Sequence, residues 1–110
     1  MHVSVIGNPD DSVVVAMRGS LDRESATVLS TTLDQVLDRP APRVVIDLSE
    51  VEHCDADGLS AFVTGHDRAA LTGGWLRLAA PGEGLALLLG RPGFPGRVGV
   101  HPSVAEALGA

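Results

Sequence analysis

A chain of 110 residues, 45% hydrophobic and 20% charged, predicts one soluble globular domain spanning 1–110 around a single core. The formal net charge is −6 and the basic residues are all Arg, scattered without a run, which argues against the cation clusters that nucleic-acid binding requires. Aromatics make up only 3%, so Val, Leu and Ala must fill the core, and the lone Cys54 has no partner for an internal disulfide, which fits a reducing cytoplasm.

The opening residues, MHVSVIGNPDD, lack the charged-then-apolar order of a signal peptide. No apolar run approaches membrane-spanning length, so a cytoplasmic location without direct membrane insertion is expected. Val3 to Ile6 reads as a short strand and Gly7-Asn8-Pro9-Asp10 as a turn. Val13 to Arg18, rich in β-branched residues, reads as a second strand paired antiparallel with the first. Gly19-Ser20-Leu21-Asp22 is expected to break that strand, with Asp22 placed to cap a helix or turn.

From Glu24 to Asp38 apolar residues recur at Ala26, Leu29, Leu33, Val36 and Leu37, which is helical spacing, and Arg39-Pro40-Ala41-Pro42 stops the helix. Val44 to Leu48 is a near-continuous apolar run, the pattern of a central parallel strand covered on both faces. A second helix is predicted from Asp57 to Leu71, with Leu59, Phe62, Val63 and Ala70 on its buried face, ended by Gly73-Gly74. Trp75 to Ala79 alternates like a strand, and Pro81 to Gly90 holds a short helix. A Pro/Gly-rich loop, GRPGFPG, leads to a strand at Arg97 to Val100, and Pro102 or Ser103 opens a last helical turn or two. The order β-β-α-β-α-β-α-β-α predicts an α/β domain, a mixed and mostly parallel sheet of about five strands with about four helices.

The chemically crowded stretch is HCDADGL, residues 53–59. His53, Cys54, Asp55 and Asp57 are all metal-ligand types, with His66 on the helix beyond. Successive residues of an extended segment point to opposite sides, however, and no second Cys or clustered His completes a tetrahedral set, so no metal and no cofactor is expected. Asp55 and Asp57 could act as an acid/base pair. Nothing around them supplies an oxyanion hole or a phosphate-binding loop, since GRPGFPG lacks the lysine and hydroxyl residue of a P-loop. The chain is therefore expected not to be an enzyme. A third reading is a helix N-terminus used for recognition, with Asp57 either capping the helix or presenting its charge.

Taken together, these segments resemble the STAS domain in its free-standing bacterial form, the anti-sigma factor antagonists. VVVAMRGSLDRESATVLSTTL is similar to that family's opening strand, G-x-L-D motif and first helix. RVVIDLSEVEHCDADGLSAFVTGHDRA is similar to its signature strand, loop and second helix, and GGWLRLAAP and GRPGF to later segments.

The resemblance implies a non-catalytic protein-interaction regulator whose partner is an anti-sigma factor of the serine-kinase type. In the family, the kinase phosphorylates a Ser or Thr just before the motif glycine and so ends the interaction. Here Asp55, Gly58 and Leu59 match the motif, while the acceptor position is Asp57, preceded by Ala56. The expected partner-binding and regulatory surface is Asp55, Ala56, Asp57, Gly58, Leu59 and Ser60, flanked by Asp22 and Arg23, with Asp22 equally placed as a plain helix cap.

A serine kinase cannot modify aspartate, whose single negative charge compares with about −1.5 to −2 for phosphoserine. The protein is thus either locked in a phosphorylated-like state or matched to a partner that works without the switch, unless Ser60, one turn on, is the modified residue. The alternative implied by the same resemblance is an accessory subunit of a lipid or anion transport system.

Overall fold

In the computed structural model, which describes residues 1–110, the chain runs β1 (His2–Gly7), β2 (Val13–Leu21), α1 (Arg23–Val36), β3 (Arg43–Cys54), α2 (Ala56–Ala70), β4 (Trp75–Ala79), α3 (Glu83–Leu89), β5 (Gly99–His101) and α4 (Val104–Gly109). The strands lie side by side in chain order as one five-stranded sheet. β1 is antiparallel to β2, and every other pairing is parallel. The expected mixed, mostly parallel α/β architecture is the observed one. No helix is long and apolar enough to cross a membrane.

Val44, Val45 and Ile46 are completely buried because β3 sits between two parallel neighbours with helices over both faces. On one face Val15, Met17, Ile46, Leu48, Leu76 and Leu78 pack against Leu29 and Leu33 of α1, Phe62 of α2 and Leu85 and Leu89 of α3. On the other, Val14, Val45 and Ala79 meet Ala107 of α4, with Trp75, Val104 and Leu108 around them. Each large aliphatic side chain buried this way stabilises the fold by about 1.5–3 kcal/mol.

Several boundaries differ from the sequence expectation, each for a local reason. Gly19-Ser20-Leu21 does not break β2. Gly19 takes a φ of +108° that suits glycine, the register slips there, and pairing with β3 resumes at Ser20↔His53 and Leu21↔Cys54. That pairing carries β3 well past Leu48, to Cys54, with Val51 and Cys54 inward and Glu50, Glu52 and His53 exposed. α1 starts at Arg23 and ends at Val36, short of Asp38, because Leu37 already closes it.

α2 starts at Ala56 rather than Asp57, because Asp55 is its cap. Its buried stripe is Gly58, Phe62, Gly65 and Ala69 at steps of three and four, so Ala69 replaces Ala70, which is exposed. Leu59 and Val63 are half-buried on its flank. β5 is Gly99–His101 rather than Arg97 to Val100, since only those residues reach the Arg77–Ala79 edge of β4. Ser103 caps α4 as expected, its hydroxyl accepting the Glu106 N–H at 3.1 Å.

Gly58 marks a close approach. A Cβ there would lie 2.7 Å from Leu21 Cγ and 2.8 Å from Cys54 Sγ, both buried side chains. Gly84, in the exposed first turn of α3, has no neighbouring atom within 4 Å of the same point. Urea denaturation should therefore show Gly58→Ala destabilised by about 1–2 kcal/mol, overpacking exceeding the gain in helix propensity. Gly84→Ala should instead be stabilised by about 0.5–1 kcal/mol.

Candidate functional site

β2 and β3 end together, with Leu21 paired to Cys54, and at each end the chain turns into a helix through an aspartate. Asp22 and Asp55 are both extended, and each lends a carboxylate oxygen to the backbone N–H three residues on. Ser25 N donates to Asp22 Oδ1 at 3.0 Å, and Gly58 N donates to Asp55 Oδ1 at 3.1 Å. The Asp55 N–H donates to Leu21 O at 3.1 Å, tying the second turn to the end of the neighbouring strand. Two capped helix N-termini thus start from adjacent strand ends.

The Ser25 hydroxyl lies 2.8 Å from both Asp22 Oδ1 and Ser20 O. The Ser25 backbone N–H, then this hydroxyl, hold the Asp22 carboxyl below the ordinary carboxylate range.

Asp57 occupies the second position of α2, exposed, and its side chain makes no hydrogen bond or ion pair within the chain. Its charge faces the favourable end of the α2 dipole, while the capping duty falls to Asp55.

Two grooves flank the ridge on which Asp57 stands. The first, about 440 Å³, lies between α1 and α2, with Asp57, Ser60 and Thr64 on one wall and Arg23, Thr27 and Ser30 on the other. Arg68 of α2 and Asp34 of α1 pair across the same groove. The second, about 410 Å³, is more apolar and lies between α2 and the segment after α3, with Leu59, Val63, Leu88, Phe94 and Pro95 as walls and Arg91 on its lining. Arg97 holds that segment to α2 by a two-point contact with Asp67, at 2.8 and 2.9 Å. The Arg97 hydrogen bond draws the Asp67 carboxyl down and raises the guanidinium in turn.

The residues expected from sequence therefore divide by task. Asp22 and Asp55 are caps, Gly58 is buried beneath the first turn of α2, and Leu59 faces the apolar groove. Ala56, Asp57 and Ser60 form the exposed ridge, and Arg23 lines the opposite wall from α1. Ser60 and Thr64 line both grooves. Thr27, Thr64, Arg91, Phe94 and Pro95 stand out only once the grooves are assembled. The four-residue steps from Ser60 to Thr64 and from Ala26 to Ser30 are the signal in the sequence for the groove between α1 and α2.

HCDADGL does not converge on a point. His53 is exposed, Cys54 is buried, Asp55 caps and Asp57 faces outward. No three His, Cys, Asp or Glu side chains come together in a way that could hold a metal ion. Burial, then the Asp55 charge beside it, pushes the Cys54 thiol up to about 11. His66 directs Nδ1 to Leu76 O at 3.2 Å, a link between α2 and β4 rather than a ligand set with His53.

The family model described as "Mlab, STAS domain" matches residues 4–96. No protein in a search of the curated proteins matches. Among solved structures, an anti-sigma factor antagonist from Mycobacterium paratuberculosis is 23% identical with a TM-score of 0.83, the match covering 98% of this chain and 92% of that one. A serine-to-glutamate variant of RsbS from Moorella thermoacetica is 22% identical with a TM-score of 0.77, covering 99% and 93%. Phosphorylated SpoIIAA, a Bacillus cell fate determinant, is 14% identical with a TM-score of 0.75, covering 98% and 97%. At these identities the likeness establishes the fold.

The two acidic residues of the motif should separate on denaturation. Asp55→Ala removes a cap and is expected to cost about 1 kcal/mol, whereas Asp57→Ala removes only a surface charge–dipole attraction of about 0.5 kcal/mol or less. An equal loss for both would contradict the division of roles.

Cys54 gives a second expectation. Its folded value of about 11 lies above the ordinary 9.0, so the fold holds the thiol proton more tightly than the unfolded chain does. That contribution is complete below pH 9 and is lost as pH rises to about 11. The urea midpoint of the wild type should fall more steeply across that interval than that of Cys54→Ala.

Proposed function

The chain belongs to the STAS domain family, and from that membership we propose that it is a non-catalytic regulator of the anti-sigma factor antagonist kind, docking an anti-sigma factor of the serine-kinase type. The observation that carries this reading is the exposed, unpaired carboxylate of Asp57 on the ridge between the two grooves. The ridge residues Ala56, Asp57 and Ser60, with Leu59 and Arg23 beside them, form the docking surface. Asp22, Asp55 and Gly58 hold that surface in place from beneath. Solved relatives of the same fold include one in a phosphorylated form and one in which a serine is replaced by glutamate.

The regulator works without a phosphorylation switch. A fixed charge at Asp57 costs the fold little, because the adjacent free N–H groups and the α2 dipole favour an anion there. On a partner, the same charge demands either desolvation or a matching cation, the demand that a phosphate makes more strongly. The protein is expected to act in the cytoplasm.

Affinity capture with wild type, Asp57→Ala and Asp57→Ser tests the proposal. Asp57→Ala should bind the kinase-type partner about tenfold more tightly, equivalent to about 1.4 kcal/mol, and Asp57→Ser should additionally accept phosphate from it. Equal binding by all three would remove the regulatory role of Asp57, and phosphate found on Ser60 of the wild type would show a switch after all. Capture of a membrane transport component in place of a kinase would move the assignment to an accessory subunit of a lipid or anion transport system.

A further inference from the structure

The step Asp57–Gly58 joins the exposed carboxylate of the ridge to the buried glycine beneath the first turn of α2. We propose that it is a self-modification site, where the Gly58 nitrogen closes on the Asp57 side chain to a succinimide, and that the Asp55 cap holds it shut in the folded chain. The chemistry belongs to the chain alone and is the same whatever partner the ridge docks. Aspartate before glycine is the step at which this ring closes most readily, because no side chain hinders the approaching nitrogen. It occurs once here. Every other aspartate precedes a larger residue, and the single asparagine, Asn8, precedes a proline, which has no N–H.

In the reaction the Gly58 nitrogen gives up its proton and attacks Asp57 Cγ. The N–Cγ bond forms, a Cγ–O bond of the protonated carboxyl breaks, and one water leaves. Water then reopens the ring at either carbonyl. Cleavage of the N–Cγ bond restores aspartate. Cleavage between the nitrogen and the main-chain carbonyl carbon of Asp57 leaves the chain running through Cγ, as isoaspartate. The water lost is regained, so the mass is unchanged and no oxidant, reductant or cofactor takes part.

The fold restrains the nitrogen rather than the carboxyl. Asp57 makes no hydrogen bond or ion pair within the chain, so its side chain is free to turn. Gly58 N, the attacking atom, is the one that the cap holds, donating to Asp55 Oδ1 at 3.1 Å. A carboxylate so near also disfavours the amide anion through which attack proceeds. Leu59 N donates to Asp55 O at 3.0 Å, closing the first turn around the step. The close seat of Gly58 on Leu21 and Cys54 resists the rotation that ring closure needs. Ring closure therefore goes through local opening of this turn. Isoaspartate adds one backbone methylene between the cap and the glycine seat, so the turn cannot afterwards restore both contacts. A transient opening is thereby made permanent, and the ridge is lost.

Asp57→Asn supplies the reporter, because its ring forms by loss of ammonia and each event leaves an acid in place of an amide, read by intact mass. In neutral buffer the full chain carrying Asp57→Asn should convert about tenfold more slowly, or slower still, when folded than in urea. Adding Asp55→Ala should speed the folded reaction about fivefold, the factor by which loss of a cap raises the population of an opened turn. Asp55→Ser, which keeps a neutral acceptor, should fall between the two and carries this comparison if Asp55→Ala does not fold. Ser103→Ala removes the comparable cap of α4 and should leave the rate unchanged. In the wild type, peptide mapping should find isoaspartate at position 57 accumulating in urea far faster than in the folded chain. Equal rates folded and in urea, no acceleration on loss of the Asp55 cap, or the same acceleration from Ser103→Ala would each overturn the proposal.

Discussion

Everything at the ridge depends on β2 and β3 staying paired to their last residues. Because Leu21 meets Cys54 and the Asp55 N–H reaches Leu21 O, the two chain reversals occur side by side. α1 and α2 then start from neighbouring points and run together over the same sheet face. Gly58 seats the first turn of α2 directly on Leu21 and Cys54. A side chain at that point would lift the helix, and both grooves would change shape with it. Parallel strands ending in register, rather than any one motif residue, set the geometry of the exposed surface.

The surface so positioned carries different side chains on its two sides. Toward α1, hydroxyl groups of Thr27, Ser30, Ser60 and Thr64, with Arg23 and Asp57, rim a groove that Leu33, Leu37 and Ala61 also line. Toward the segment after α3, Leu59, Val63, Phe94 and Pro95 offer an apolar trough. A partner that straddles the α2 ridge meets carbon in both grooves, with more hydroxyl and charged groups at the rim on the α1 side. Placing polar groups at fixed points around apolar grooves favours specificity, since a partner without matching groups leaves them unpaired.

Much of this is legible in the sequence. The Val44–Leu48 run announces a central parallel strand, the turn at Gly7–Asp10 announces the antiparallel ribbon, and Ser103 announces the last helix. Other features depend on neighbours distant in sequence. SEVEHC carries two glutamates and does not advertise a strand, yet β2 recruits it through pairing. Asp55 and Asp57 are the same residue type two positions apart, and only the extended backbone at Asp55 decides which one caps. Glycines at 58 and 65 carry no apolar signal, so periodicity points to Leu59 and Ala70 for a buried helix face that is in fact built on those glycines. The grooves need α1, α2 and the segment after α3 in place, and no local pattern reports that.

The division of labour within the first turn of α2 has an evolutionary consequence. Asp55 secures the backbone and Gly58 secures the packing, while the side chain at 57 makes no hydrogen bond or ion pair within the chain. Position 57 is therefore a degree of freedom that the fold leaves to selection. The charge and chemistry displayed there can change by exchange of one side chain, without rebuilding the scaffold that presents it.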